Sequence, residues 1–463
     1  VEITELRRLV VGIDTQVPVR DGRRIPYTNF DNAASTPAIK PVIEEVQNFL
    51  PWYASVHRGD GYKSQVSTAL YDRAHAIIGD FFHYDPAHHL VVLGKNATEA
   101  LNKAAYRIPI PNGKAVLTTL MEHHSNDLPW RYRAPVRFAP LTPDGELDLD
   151  AVEKMLRSGA ISLLTVCGAS NVTGIINPLK KLAELAHIHG ALFVVDAAQL
   201  APHAPLYLSR ADNNWNGPDL IAISGHKLYA PFGTGALIGP KDLFRYGIPE
   251  YLGGGTVVSV STRDVVFAEP PEREEAGSPN VLGALALAAA LKWLKEQGMD
   301  NLYQQEHKLT AYTYRQLQEI PGCTVYGPPP EKVPRVGVLT FNLDGLPHGL
   351  VAAALSHEAG IGVRHGCFCA RPYVHHLLGL TAEDHRRLAA DVQHRRFDRL
   401  PGMVRASFGF YNTYEEVDYF IAALKYLTES RTQLLKEYVV DPQSGHYQFK
   451  PQFRSNASSI AVK

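Results

Sequence analysis

Apolar residues follow two periods along this chain. Short, nearly uninterrupted runs cover residues 90–93, 115–120, 161–166, 192–195, 220–223 and 236–238. Runs of that length edged by Gly, Asn, Asp or Ser predict strands buried on both faces. Between them, 98–105 and 179–189 read as helices, the second with Leu182, Leu185, Ala186 and Ile188 at helical spacing. Strands and helices in alternation predict a mostly parallel sheet with helices on its faces. The alanine-rich stretch 281–291 is too short to span a bilayer and reads as a packed helix. From about residue 302 the rhythm changes. Helices at 302–317, 350–359 and 414–428, with strands at 336–341 and 403–407, predict a smaller α+β lobe. The expected division is a polar lead (1–28), a large domain (29–300), a small C-terminal domain (301–435) and a tail (436–463). Pro442, Pro451 and clustered Ser and Asn predict a tail with little core of its own.

Composition narrows the function classes. A chain of 463 residues can bury a large core and is expected to form two lobes. Lys and Arg total 46 against 47 Asp and Glu, with no basic run, so neither nucleic acid nor a membrane surface is the expected partner. Four cysteines do not make a disulfide framework in so long a chain. The first residues lack a basic-then-apolar export pattern. A cytoplasmic setting is the expectation.

The chemistry concentrates at two strand ends. The run 220–223 leads into Ser224-Gly225-His226-Lys227, where Lys227 is the one charge amid apolar strand and glycine turn. A buried ammonium is costly unless it is paired or neutralised. The run 192–195 ends in Asp196, about one strand-connection-strand spacing earlier. Open α/β sheets bind ligands at the carboxyl ends of their strands. The pair therefore has two readings. It is an ion pair tying two strands together, or it is a carboxylate facing a ring nitrogen and an amine facing an aldehyde.

More motifs accompany the pair. They are Lys95-Asn96-Ala97-Thr98-Glu99-Ala100, Met121-Glu122-His123-His124-Ser125-Asn126 and Ser170-Asn171-Val172-Thr173-Gly174. Asp196-Ala197-Ala198-Gln199, Gly253-Gly254-Gly255-Thr256, Arg364-His365-Gly366-Cys367-Phe368-Cys369-Ala370, Val404-Arg405-Ala406-Ser407 and Tyr411-Asn412-Thr413 follow. In this order and spacing, from about residue 29 to 423, the chain resembles the class V aminotransferase family of pyridoxal phosphate (PLP) enzymes. Within it, the short Arg-x-Gly-x-x-Cys-Ala loop is similar to that of the cysteine desulfurase and selenocysteine lyase branch.

The resemblance implies a PLP-dependent transferase of fold type I: a large domain with a mostly parallel mixed sheet, plus a smaller α+β domain. It implies a homodimer with composite sites, PLP as cofactor, and L-cysteine or a related sulfur or selenium amino acid as substrate. A sulfur-acceptor protein is a further implied partner. Lys227 is implied to hold the cofactor and to take the substrate Cα proton. Asp196 is implied at the pyridine nitrogen, Gln199 and Asn171 at the phenolic oxygen, and His123 stacked on the ring. Ala97 through its main chain, Thr98, Ser224 and His226 are implied phosphate contacts, and Thr256 one for the neighbouring subunit. Arg405, with Asn171, is implied to bind the substrate carboxylate, as a fixed guanidinium does. Arg58, in His57-Arg58-Gly59, is implied at the entrance or the dimer contact.

Cys369 is the implied sulfur acceptor, its thiolate favoured by nearby Arg364, His365 and Arg371. Cys367 departs from the branch pattern and leaves open which thiol reacts. Rival readings are a PLP-dependent carbon–sulfur β-lyase, a selenocysteine lyase, another class V family enzyme that does not use the cysteine nucleophile, a non-catalytic binding partner of the same fold, and a zinc site built on His123, His124, Cys367 and Cys369. The last lacks a second Cys or His pair at finger-like spacing, so no metal is expected.

Overall fold

The computed structural model describes residues 3–208 and 217–450. Residues 1–2 of the expected lead and 451–463 of the expected tail lie outside the described residues. Among the described residues, seven strands form the central sheet: β1 (His89–Gly94), β2 (Ala115–Thr119), β3 (Val136–Ala139), β4 (Ile161–Cys167), β5 (Leu192–Asp196), β6 (Leu220–Ser224) and β7 (Gly235–Pro240). Their spatial order is β1-β7-β6-β5-β4-β2-β3. All neighbours pair parallel except β7, which is antiparallel to both β1 and β6. Six of the strands are the apolar runs read as buried, and β2, β6 and the core of β5 are buried throughout. The edge strand β3 went unread because Arg137 interrupts its short pattern.

The register sets the site. Asp196 pairs with Ala222, and Gly235 pairs with both Ser224 and Gly94. The ends of β1, β5 and β6 therefore open at one edge of the sheet, with the helix Ala97–Arg107 starting just beyond β1. The alanine-rich stretch is the helix Val281–Gln297, buried against the helices Tyr62–Phe81 and Lys40–Phe49. Among the described residues, no helix is long and apolar enough to cross a membrane.

A second sheet runs Cys323–Val325, Val338–Leu343, Met403–Ser407, Arg364–Gly366. It packs with the helices His348–Ala359 and Tyr414–Glu429 around Phe341, Leu355, Val404 and Phe420, in a core that also includes Phe30. Two local readings are corrected. The strand expected at 336–341 begins two residues later, because Arg335 bridges to Ile175 and the Val336 amide is bonded to Gly174. Residues Arg364–Gly366, read as loop, form a strand that pairs antiparallel with Met403–Ser407.

The ends pack more closely than their composition suggests. Leu6 and Val10 of the lead are buried, and Arg7 bonds to Glu416 at 2.6 Å. In the tail, Tyr438–Val440 and Tyr447–Phe449 form a hairpin. Tyr438 is buried, and Arg20 bridges Glu358 and Glu437 beside it. Aromatic residues near Pro442 supply the packing that its polar neighbours do not.

Candidate active site

A cavity of about 380 Å³ lies at the shared strand edge and reaches the second sheet. Lys227 ends the one-turn segment Gly225–Lys227 that follows β6. The Leu228 and Ala230 amides both donate to the Gly225 carbonyl, closing the turn. A Cβ on Gly225 would stand 2.6 Å from the Thr234 carbonyl, so the turn tolerates only glycine. Lys227 is half-buried and lines the cavity. Burial is the main force pushing its amine down to about 8; Asp196 opposes this and Arg405 adds to it.

Asp196 lines the same cavity and is 5% exposed. Burial pushes its carboxyl above the ordinary range, against the Ala198 amide, which donates to it at 3.0 Å, and against Lys227. Among the described residues no ion pair within 4.0 Å joins Asp196 to Lys227. The two face one cavity without closing it, which removes the reading of a strand-tying salt bridge.

The helix start beyond β1 supplies donors. Asn96 caps it by accepting from the Glu99 amide, and Ser224 accepts from the Ala97 amide at 2.8 Å. The Thr98 amide is the first-turn N–H that neither engages. The Thr98 hydroxyl shares a hydrogen bond with Ser125 at 2.7 Å. His226 lines the cavity beside them, its ring held neutral chiefly by burial. Aligned N–H groups and hydroxyls at a helix start suit an anion such as phosphate.

His123 lines the cavity, and its Nδ1 accepts from the Ser125 amide at 3.1 Å. A neutral ring then carries its proton on Nε2. Burial foremost, then the charge of Lys227, pushes this imidazole down to about 3. His124 turns away, and its amide donates to the Cys369 carbonyl at 2.7 Å. Gln199 is 3% exposed, and its amide nitrogen bonds to His203.

Arg405 is 3% exposed. It donates to the Asn171 carbonyl at 2.9 Å, pairs with Asp31 at 3.4 Å and lies over the Phe368 ring. Asn171 is buried, and its side-chain nitrogen donates to the Phe368 carbonyl at 2.6 Å. Phe368 and Cys369 have φ of 53° and 55°, the left-handed region that costs ordinary residues energy. Their carbonyls are the ones that Asn171 and His124 hold. Cys369 is exposed at the cavity mouth. Cys367 points elsewhere: its Sγ lies 3.3 Å from the Pro401 carbonyl, and burial pushes the thiol up.

Thr256 lies outside this cavity. It is fully buried, with its hydroxyl on the Gly253 carbonyl at 2.7 Å. Arg58 lines a second cavity of about 540 Å³ with Tyr53, His57, Gly254 and Gly255. Asp31, Ser125 and the Phe368 ring escaped the reading of the sequence. Asp31 meets Arg405 across 374 residues, a separation that no local spacing signals.

The family Aminotransferase class-V matches residues 28–420. A probable cysteine desulfurase of Synechocystis is 34% identical over 410 residues, covering 86% of this chain and 90% of that protein. A cysteine desulfurase of Yersinia pseudotuberculosis is also 34% identical, covering 86% and 93%. Among solved structures, the apo cysteine desulfurase of Thermococcus onnurineus superposes with a TM-score of 0.76 at 34% identity, covering 87% and 95%. The cysteine desulfurase CsdA (S-sulfonic acid) of Escherichia coli gives 0.76 at 26% identity, covering 93% and 99%.

Proposed function

The chain belongs to the class V aminotransferase family, and from that membership we propose a PLP-dependent cysteine desulfurase that converts L-cysteine to L-alanine and takes the sulfur on Cys369. One observation carries the reading: the Lys227 amine and the exposed Cys369 thiol line the same cavity.

The residues fit the cofactor. The buried Asp196 suits a protonated ring nitrogen, and the lowered Lys227 amine suits an aldehyde. Thr98, Ser224 and His226 at the helix start suit the phosphate. Arg405 Nε is a buried donor without a hydrogen-bond partner among the described residues, as expected where an anionic ligand completes the site. Bound PLP would supply the electron sink for the bonds broken at the substrate's Cα and Cβ.

The chain's own groups divide the remaining work. Arg405 pairs with the substrate carboxylate, held in place by the Asn171 carbonyl and Asp31. Lys227 Nζ receives the Cα proton, and an amine lowered to about 8 is available as a base near neutral pH. His123 presents a neutral ring with Nε2–H toward the cavity. The Cys369 thiolate attacks the substrate sulfur. The new S–S bond forms as the substrate's carbon–sulfur bond breaks with its electron pair on carbon, and protonation there gives alanine. Cys369 keeps the persulfide, and its exposure at the mouth suits transfer to a thiol or an acceptor protein.

A homodimer belongs to the same proposal. The hairpin Val257–Val260 and Val265–Phe267 exposes Val258 at 75% and Val260 at 62%, beside the second cavity's Gly254 and Gly255. A second copy covering this apolar face would bury it. With the Thr256 hydroxyl spent on Gly253, the exposed glycine backbone is what such a copy meets first.

The test is product analysis of the PLP-loaded protein with L-cysteine and a reducing thiol. Alanine and sulfide in equal amounts are expected, with alanine lost in Cys369→Ser while the visible cofactor band stays. Pyruvate and ammonia, undiminished in that variant, would make the protein a β-lyase instead. Alanine and selenide from L-selenocysteine, with no alanine from L-cysteine, would make it a selenocysteine lyase.

A further inference from the structure

The cavity floor continues into a buried polar chain that crosses to the second sheet. Beyond β5 the backbone turns helically, with the Ala201 amide donating to Ala197 and the Ala204 amide to Leu200. That turn puts Gln199 and His203 on one face, four residues apart. The Gln199 amide nitrogen lies 3.3 Å from His203 Nε2. His203 Nδ1 lies 2.8 Å from Glu306 Oε2, on the helix Met299–Gln318. The other oxygen of Glu306 accepts from the Gly337 amide at 2.6 Å, just before the strand Val338–Leu343. Gln199, His203 and Glu306 are 3%, 2% and 5% exposed. Glu306 also faces the buried phenol of Tyr229, which it helps to keep protonated.

Donor and acceptor logic gives this chain a direction. Both oxygens of Glu306 accept, as a carboxylate does, so His203 Nδ1 must donate. The neutral ring then has an acceptor at Nε2. That acceptor repels the Gln199 amide oxygen and takes a hydrogen from its nitrogen. The amide is thereby locked one way round. Its nitrogen keeps a second hydrogen to give, and its oxygen is left buried without a partner among the described residues. Without Glu306 the ring can carry its hydrogen on Nε2, the amide can turn over, and the cavity sees an acceptor in place of a donor.

We propose that His203 and Glu306 are positioning residues that hold the Gln199 amide as a hydrogen-bond donor toward an anionic oxygen of the bound cofactor. The inference rests on the proposed PLP site. It adds that the small-lobe strand, through the Gly337 amide and Glu306, helps to set the electronic state of the cofactor in the large domain.

The experiment follows the visible absorption of the PLP-loaded protein against pH, without substrate, in wild type, Gln199→Leu, His203→Leu and the double variant. A donor to a phenolate oxygen stabilises its more anionic state, so losing the donor raises the midpoint. Gln199→Leu and His203→Leu are each expected to raise it by about one pH unit, and the double variant no further. Glu306→Gln, which keeps an acceptor for Nδ1–H, is expected to shift it less than Glu306→Leu. A shift in Gln199→Leu with none in a folded His203→Leu overturns the relay, as does a double variant showing the sum of the two shifts. If His203→Leu does not fold, His203→Asn takes its place in the cycle, and an unmoved midpoint there has the same meaning. A wild type that takes up no PLP and shows no visible band would instead sink the proposed function itself.

Discussion

Arg364 and Arg405 are direct partners across an antiparallel ladder, and a single carboxylate, Asp31, bonds to both. The contacts are unequal: Arg364 reaches Asp31 at 2.7 Å and Arg405 at 3.4 Å. Arg364 is half exposed, whereas Arg405 is buried at the cavity with Nε unpartnered. Burial foremost pushes the Arg405 guanidinium down to about 10, with Asp31 opposing and Arg364 adding to the effect. Under the proposed function, the unpartnered Nε is the donor an incoming carboxylate would meet.

Arg405→Lys removes the planar fork while keeping the charge. It is expected to raise KM for L-cysteine by about tenfold or more, with a smaller change in kcat. Asp31→Asn is expected to raise KM by about threefold, since only the ion pair that steadies the guanidinium is weakened. Steady-state alanine formation separates the two constants. A fall in kcat at unchanged KM for both variants would remove Arg405 from carboxylate binding.

The two thiols of the loop should behave differently. Cys367 is half-buried on the Pro401 carbonyl, while Cys369 faces the cavity. Cys367→Ala is expected to keep alanine formation within about threefold of wild type, in line with a modest packing change. After a turnover with L-cysteine, mass spectrometry should find one added sulfur atom on the peptide of wild type and Cys367→Ala. Cys369→Ala should carry none. Sulfur retained in Cys369→Ala would move the acceptor role to Cys367.

Lys227 links stability to pH in the cofactor-free protein. Its folded pKa of about 8 lies below the ordinary 10.5. Between these values the unfolded chain binds more protons, so stability rises with pH across that window. Below about 8 the cost of the desolvated ammonium is fully present. Lys227→Met should therefore raise the melting temperature by about 2 °C or more at pH 7, with the gain shrinking toward pH 10.5. Thermal unfolding of both proteins across this range checks it; a gain that grows with pH contradicts the assigned direction.

Gly225→Ala tests the turn that presents the lysine. The added Cβ would meet the Thr234 carbonyl at 2.6 Å, and backbone does not yield as a flexible side chain does. A loss of about 1–3 kcal/mol is expected from denaturant unfolding. Gly233→Ala makes a useful contrast: its Cβ meets nothing within 4 Å, leaving only the penalty of φ +65°.

The linear pattern was enough to locate β5 and β6 and to see that Asp196 ends the first and Lys227 follows the second by one turn. Strands buried on both faces need unbroken apolar runs, and the polar residue that stops such a run is conspicuous. The same reasoning placed a packed helix over 281–291, the first part of the observed Val281–Gln297, and found the strand Met403–Ser407 at its observed bounds. It read Arg364–Gly366 as loop because three residues with Arg, His and Gly carry no period. Their strand exists only because Met403–Ser407 offers an edge to pair with.

What the order of residues determined alone was which groups could do chemistry and which end of the sheet would carry them, since backbone hydrogen bonding and burial act over short stretches of chain. What only the tertiary structure decided was how those groups are held: Asn171 on the Phe368 carbonyl, Asp31 between two arginines, and Glu306 behind His203 and Gln199. Those contacts join segments up to 374 residues apart. A hydrogen bond of that kind depends on positions set by tertiary packing of distant segments, so no local pattern records it.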